Sequence, residues 1–270
     1  MNRCSGTQLL DALERGEVRV AERAGDGSWT IHAWVKQEIL ALFRASAIVP
    51  QGLEQREPAA GEPSAFRDKS AFPVRRFGEA DGVRVVPGGS SVRRGAYLAP
   101  GVVCMPPMYV NVGAHVGAGT MIDSHALVGS CAQIGTKVHL SAAAQIGGVL
   151  EPANARPVIV EDECFVGGNT GLYEGVLVRT GAVIAAGVVL TASTPVFDLV
   201  NQRELRGTRD APLEIPERAV VVPGTRPVSG AWGAKLGLHA ACALIVKYRD
   251  AKTDRATALE SALREGLAGG

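Results

Sequence analysis

Aromatic side chains are scarce in this chain of 270 residues, which has three Trp, four Tyr and six Phe. That shortage excludes an ordinary core built on large rings. An excess of charge of one sign is also missing: 28 Lys and Arg stand against 27 Asp and Glu, a net charge of +1. The composition therefore offers no basic field to grip nucleic acid or an anionic membrane. The five cysteines, Cys4, Cys104, Cys131, Cys164 and Cys242, are odd in number, scattered and never in a CxxC pair. Such usage argues against a disulfide framework or a zinc knuckle. No apolar run approaches the roughly 18 residues a membrane helix needs, and MNRCSGTQLLDALERGE carries no apolar signal core. The expectation is a cytoplasmic protein with neither nucleic acid nor membrane as a partner.

What the chain has in excess is glycine, 33 of 270, about 12% against a usual ~7%. Helical and alternating templates both fail between residues 92 and 195, whereas reading every sixth residue succeeds. Val92, Leu98, Cys104, Val110, Val116, Ile122, Val128, Ile134, Leu140 and Ile146 are all aliphatic but one. After a break at 151–157 the register resumes two residues out of phase at Val160, Val166, Leu172, Val178, Ile184 and Leu190. A period of six predicts a prism-like solenoid in which each face is one hexad and three faces make an 18-residue coil. One aliphatic side chain per face points into a thin core, and glycine collects at corners where the backbone turns tightly.

The open ends of such a solenoid need covering. Residues 1–83 read as a helical domain and linker. There Thr7 is placed to cap a helix carrying Leu9, Leu10 and Leu13, and Ile39, Leu40 and Phe43 follow Trp34 at helical spacing. Residues 84–199 are the solenoid, and 200–270 a strand and helix segment. In that last segment Ala240 to Tyr248 reads as a buried strand, and Thr257 with Glu260 has the pattern of a capping box. Two hexads are expected to leave the register: Cys104 to Tyr109, because Pro106 and Pro107 cannot donate to a ladder, and Glu151 to Pro157.

Asp123 follows the core Ile122 in GTMIDSHALVGS and points outward from a small, apolar wall. A carboxylate there can take a proton from an amine or orient it toward an acyl donor, and it can equally close an Asx turn at a corner. His115, His125 and His139 are candidate bases and equally candidate structural, hydrogen-bonded residues. Glu174, in GLYEG, offers a second acid or a solvated corner side chain. Cys131, between Ser130 and Ala132 with no basic neighbour, reads as packing rather than as a nucleophile. The glycine pairs at 147–148 and 167–168 lack the strand-then-helix setting of a phosphate loop and belong to the repeat.

The run MYVNVGAHVGAGTMIDSHALVGSCAQIGTKVHLS, with IGGVLEP and VIVEDECFVG, resembles the tetrahydrodipicolinate N-succinyltransferase family. WVKQEILALFR, GVRVVPG, AVVVPG and LIVKYRDAKTD extend the similarity over most of the chain from about Val18. The resemblance implies a homotrimer of left-handed parallel β-helices, an exception to the usual right-handed crossover, with clefts between subunits. It implies transfer of succinyl from succinyl-CoA to the amino group of L-2-amino-6-oxopimelate in lysine and diaminopimelate biosynthesis, with no metal required. The implicated aspartate falls on Asp123, and a substrate-carboxylate arginine on Arg84, whose guanidinium fork matches such a group. Ser130 and Gly148 match positions near the acyl group. Gly168, Ala185, Ala186 and Gly187 match the wall along which pantetheine lies.

Two departures stand out. Where many relatives have a second acid in a segment like GARSEVVEG, this chain reads GGNTGLYEG, which puts Gly171 at the acid's position and leaves Glu174 matching only the later glutamate. The usual tryptophan two residues after the aspartate is His125, a titratable group in the substrate cleft. Two alternatives follow: a related acyltransferase using acetyl-CoA or a similar amino-acid acceptor, and a non-catalytic or metal-dependent hexapeptide-repeat scaffold.

Overall fold

The six-residue period folds into a triangular prism. A computed structural model of the chain describes residues 4–52, 66–208 and 211–250. Its three faces are parallel sheets, and each strand pairs with the one a full coil away. On the first face run Arg84–Val85, Val103–Cys104, Met121–Ile122, His139–Leu140, Phe165–Val166 and Val183–Ile184. The second face holds six strands from Ser91–Val92 to Val189–Leu190, and the third six from Tyr97–Leu98 to Glu214–Ile215. The pairing Val110↔Val128↔Ile146 shows the stacking, with like side chains piled on one another. This is a left-handed parallel β-helix of hexapeptide repeats with a helical N-terminal cap and a mixed C-terminal segment.

All sixteen residues of the six-residue register are buried. A second inward set, four residues further on in each hexad, fills the corners with smaller groups such as Ala114, Ala126, Ala132 and Ala144. Each buried aliphatic contributes about 1.5–3 kcal/mol, so the column is the main source of stability. Corners bring backbones into contact: a Cβ on Gly117 would lie 2.5 Å from the Gly135 carbonyl carbon.

Three expectations need correcting. The hexad from Cys104 to Tyr109 keeps its register, because Pro106 and Pro107 fall at a corner. On either side of them the N–H groups of Met105 and Tyr109 bond to Ile122 O and Ala126 O as the ladder requires. At the N-terminus, Ser5 rather than Thr7 precedes the first helix, α1 (Gly6–Glu14), so Thr7 lies inside its first turn. The strand at Ala240 to Tyr248 forms as His239–Tyr248 but is only partly buried, at Cys242, Ala243 and Ile245. His239, Ala241 and Val246 are exposed and the remaining positions half-buried, because the strand pairs antiparallel with Ala219–Pro227 in a long hairpin whose tip is a short helix. The capping pattern at Thr257 and Glu260 lies outside the described residues.

The break at 151–157 does leave the prism. Ile146 and Val160 are fourteen residues apart instead of six, so one corner carries eight extra residues and the register resumes shifted by two. The N-terminal helices α1 and α2 (Ala33–Ala45) pack Leu9, Leu10, Leu13, Val35 and Ile39 onto Val112 and Cys131 of the prism, forming a second core.

Where the first face continues past the prism, Asp198 is 1% exposed. Burial alone would raise its pKa, but it accepts from the Asn201 amide (2.8 Å), the Tyr248 hydroxyl (2.8 Å) and Arg203 Nε (3.1 Å), which hold it at about 2. A carboxylate depressed from its ordinary 3.8 contributes stability that is complete above that value and lost as pH falls toward 2. Urea unfolding is therefore expected to show Asp198→Asn less stable than wild type by roughly 2 kcal/mol at neutral pH. The gap should close between about pH 4 and pH 2; a gap constant with pH would remove the carboxylate from the account.

Candidate active site

Apart from Arg84, the candidate residues lie at the corners of the prism, between one two-residue strand and the next. The edge between first and second faces is a continuous backbone column. His125 N–H donates to Pro107 O, Ala143 N–H to Ser124 O (2.8 Å), Asn169 N–H to Ala142 O (3.0 Å) and Gly187 N–H to Gly168 O (2.9 Å). Asp123, His125, Gly168, Ala185, Ala186 and Gly187 thus lie on one edge. Asp123 Oδ1 accepts the Ser124 N–H at 2.7 Å, which fixes the carboxylate and leaves Oδ2 without a partner among the described residues. His125 has φ +62°, the left-handed turn conformation that most corners give to glycine or another tolerant residue. Its side chain stands exposed.

Arg84 is exposed on the first face and starts the strand two below Asp123, through Arg84↔Val103↔Met121. Two strand spacings are about 10 Å, so its long side chain can serve the same end of the edge. Above Asp123 the edge carries little bulk. A Cβ on Gly167 would meet Ala186 N at 2.5 Å, and beyond Gly187 there is open space.

The other candidates sit on the second-to-third edge. Val149 N–H donates to Ser130 O (3.1 Å), and a Cβ on Gly148 would lie 2.7 Å from Ser130 N. Glu174 Oε2 accepts the Ala192 N–H at 3.0 Å, closing the corner of the next coil. One chain therefore brings together Asp123, His125 and the Gly168 to Gly187 wall on one edge, with Arg84 below, and Ser130, Gly148 and Glu174 on another. The second face separates the two groups.

Cys131 is fully buried, and burial, opposed by nearby Lys36, pushes its thiol up to about 12, which removes it as a nucleophile. His115 stacks on Tyr97 (4.5 Å between centroids), and burial, helped by Arg19, pulls it down to about 3, so it stays neutral. His139 stacks on Phe165 at 5.0 Å. With His125 at a corner, these histidines lie on different parts of the prism, and among the described residues no three His, Cys, Asp or Glu side chains gather as metal ligands.

Two residues were missed by the sequence reading. Lys36, on α2, is fully buried and donates from Nζ to Ala155 O at 2.7 Å, tying the N-terminal helices to the 151–157 excursion. Burial pulls its pKa down. Nothing marks it in WVKQEILALFR beyond a lysine at helical spacing. The second is Tyr173. A Cβ on Gly171 would meet its ring at 2.5 Å (Cε2) and its hydroxyl at 3.0 Å, and a Cβ on Gly147 would meet the ring at 2.7 Å. The ring therefore covers the outer side of both glycines.

Two family models match the chain: the tetrahydrodipicolinate N-succinyltransferase N-terminal region over residues 7–45 and the hexapeptide repeat of succinyl-transferase over residues 157–192. A Bradyrhizobium diazoefficiens protein named 2,3,4,5-tetrahydropyridine-2,6-dicarboxylate N-succinyltransferase is 45% identical over 96% of this chain and 88% of its own length. The chain belongs to the tetrahydrodipicolinate N-succinyltransferase family. Proteins of the same name from Nitrobacter hamburgensis (45% identical, 95% of this chain and 88% of that one) and Idiomarina loihiensis (43%, 95% and 87%) are similarly close. This member of the family has an aspartate, Asp123, at the first edge and a glycine, Gly171, under a tyrosine ring on the second face.

Proposed function

We propose that the chain moves the succinyl group of succinyl-CoA onto the amino group of L-2-amino-6-oxopimelate in lysine and diaminopimelate biosynthesis. It acts in the cytoplasm, as a homotrimer with its active sites between subunits. Membership of the family over nearly the whole chain carries this reading. The division of the candidate residues between two edges supports the trimer, because a neighbour whose second edge faced this chain's first edge would reunite them.

The chemistry needs a neutral amine within reach of a thioester carbonyl. Asp123, held through Oδ1 by Ser124, presents Oδ2 to the amine and accepts its proton as the nitrogen attacks the thioester carbonyl; the C–S bond then breaks, and the proton passes to the departing CoA thiolate, which leaves as the thiol. The Arg84 guanidinium pairs with a carboxylate of the acceptor and sets its orientation. The low-bulk edge from Gly168 to Gly187 receives the pantetheine arm, and Ser130 and Gly148 lie beside the acyl group. Glu174, engaged with the Ala192 N–H, supports the corner from outside this proton path.

A second reading, an acetyl-CoA-dependent transferase or one with a similar amino-acid acceptor, is favoured by Gly171 and by His125. A thiol-release assay with the same acceptor and either donor separates the two. Succinyl-CoA is expected to give the higher kcat/KM by at least tenfold; a preference for acetyl-CoA would replace the first reading with the second.

A further inference from the structure

We propose that Gln145 holds the acceptor's amine beside Asp123, its Oε1 accepting a hydrogen bond from the amino nitrogen. The proposal deepens the succinyl-transfer reading, on whose acceptor it rests, by naming a group that recognises the nitrogen to be acylated. Along the second face the outward positions of four stacked strands are Leu127, Gln145, Gly171 and Val189, paired in that order. Of these only Gln145 carries a polar side chain. A Cβ on Gly171 would meet the Tyr173 ring at 2.5 Å. That ring therefore fills the position of the acid in many relatives, and the polar group of the face stands one strand earlier.

The amide of Gln145 reaches back to the corner that carries Asp123. Its Nε2 donates to His125 O and to Ala143 O, each at 3.3 Å. A side-chain amide has two donors on nitrogen and only lone pairs on oxygen, so two carbonyls facing one end identify that end as nitrogen. Both donors are spent on the backbone, and the planar group turns Oε1 away from those carbonyls. The turn from Asp123 to His125 is thus gripped from both ends: Asp123 Oδ1 accepts the Ser124 N–H at 2.7 Å, and His125 O accepts from Gln145. Each grip leaves one oxygen, Asp123 Oδ2 and Gln145 Oε1, without a hydrogen-bond partner among the described residues.

Two such oxygens at one corner fit a primary amine. An attacking amine presents two N–H bonds and one lone pair. With one N–H on Asp123 Oδ2 and the other on Gln145 Oε1, the lone pair is left to face the thioester carbonyl. An amide oxygen is no base at neutral pH, so Gln145 orients the amine and Asp123 alone receives its proton.

The test compares two ligands that differ only at the nitrogen. L-2-aminopimelate carries the acceptor's amine and both carboxylates, and pimelate lacks the amine. Calorimetric titration of the full chain in the presence of free CoA, which has no acyl group to transfer, gives a Kd for each. Gln145→Leu keeps much of the bulk and removes the oxygen. It is expected to raise the Kd of L-2-aminopimelate about 10- to 100-fold, the range for a hydrogen bond to a charged group, and to leave that of pimelate unchanged. Gln145→Glu retains an oxygen acceptor without the amide donors and is expected to keep the preference for the amine. Equal changes with both ligands in Gln145→Leu, no change with either, or a preference lost in both variants overturns the role of Gln145 and leaves succinyl transfer standing. A wild-type chain that binds neither ligand and releases no thiol from succinyl-CoA with L-2-amino-6-oxopimelate overturns both.

Discussion

Asp123→Asn is expected to lower kcat by about 10²- to 10⁴-fold, the usual range for loss of a positioned acid or base, while the protein remains folded. The separation of these effects comes from the geometry. An asparagine Oδ1 still accepts the Ser124 N–H that fixes this corner at 2.7 Å, and the backbone bonds from Asp123 N–H to Leu140 O (2.9 Å) and from Ala126 N–H to Asp123 O (3.1 Å) do not involve the side chain. What changes is the other position, where a carboxylate oxygen able to take a proton becomes an amide NH₂ that cannot. Thiol release at saturating succinyl-CoA and acceptor, with a thermal melt on the same sample, checks both parts. Full turnover would reduce Asp123 to a turn residue. A parallel fall in melting temperature would mean that the fold rather than the reaction had been damaged.

The fold was legible because the prism's core is thin, with one position per hexad for a large inward side chain. With no room for alternatives, each hexad must place an aliphatic at the same step, and the sequence shows that step from Val92 to Leu190. The corners were harder to read. Pro106 and Pro107 look like an interruption in a ladder until the count from Cys104 to Val110 shows that they fall where no ladder bond is needed. Asp123 and Ser130 are seven residues apart yet lie on different edges, a consequence of where corners fall rather than of distance along the chain. The Gly171 and Tyr173 pair escaped notice because its meaning lies in a ring folding back over its own strand. Taken alone, Gly171 reads only as a loss.

Contacts between distant segments leave no local pattern at all, and the best example, Glu161, sets the second large effect: Glu161→Ala is expected to destabilise the protein by about 3 kcal/mol. Glu161, 2% exposed in its side chain, accepts from Trp29 Nε1 at 2.9 Å, Arg179 Nη1 at 3.1 Å, Thr180 Oγ1 at 3.0 Å and the Thr180 N–H at 3.0 Å, with Arg23 at 3.4 Å. It thereby joins the strands at Trp29–Ile31 and Ala21–Arg23 of the N-terminal cap to a corner of the prism. Removing one member of a buried charged network typically costs about 3–5 kcal/mol, because its partners lose their compensation. The lower end applies here, since Arg179 keeps its bonds to Glu214 (2.9 Å) and Gly27 O (2.8 Å), and Arg23, 45% exposed, returns to water. At about 2–4 °C per kcal/mol for a chain of this size, the melting temperature should fall by roughly 6–12 °C when compared at equal protein concentration. Arg23→Ala, which removes a half-exposed partner at 3.4 Å, should cost less than about 1 kcal/mol. A Glu161→Ala melt within about 2 °C of wild type, or an Arg23→Ala variant as unstable as Glu161→Ala, would show that the joint between cap and prism rests on apolar packing alone.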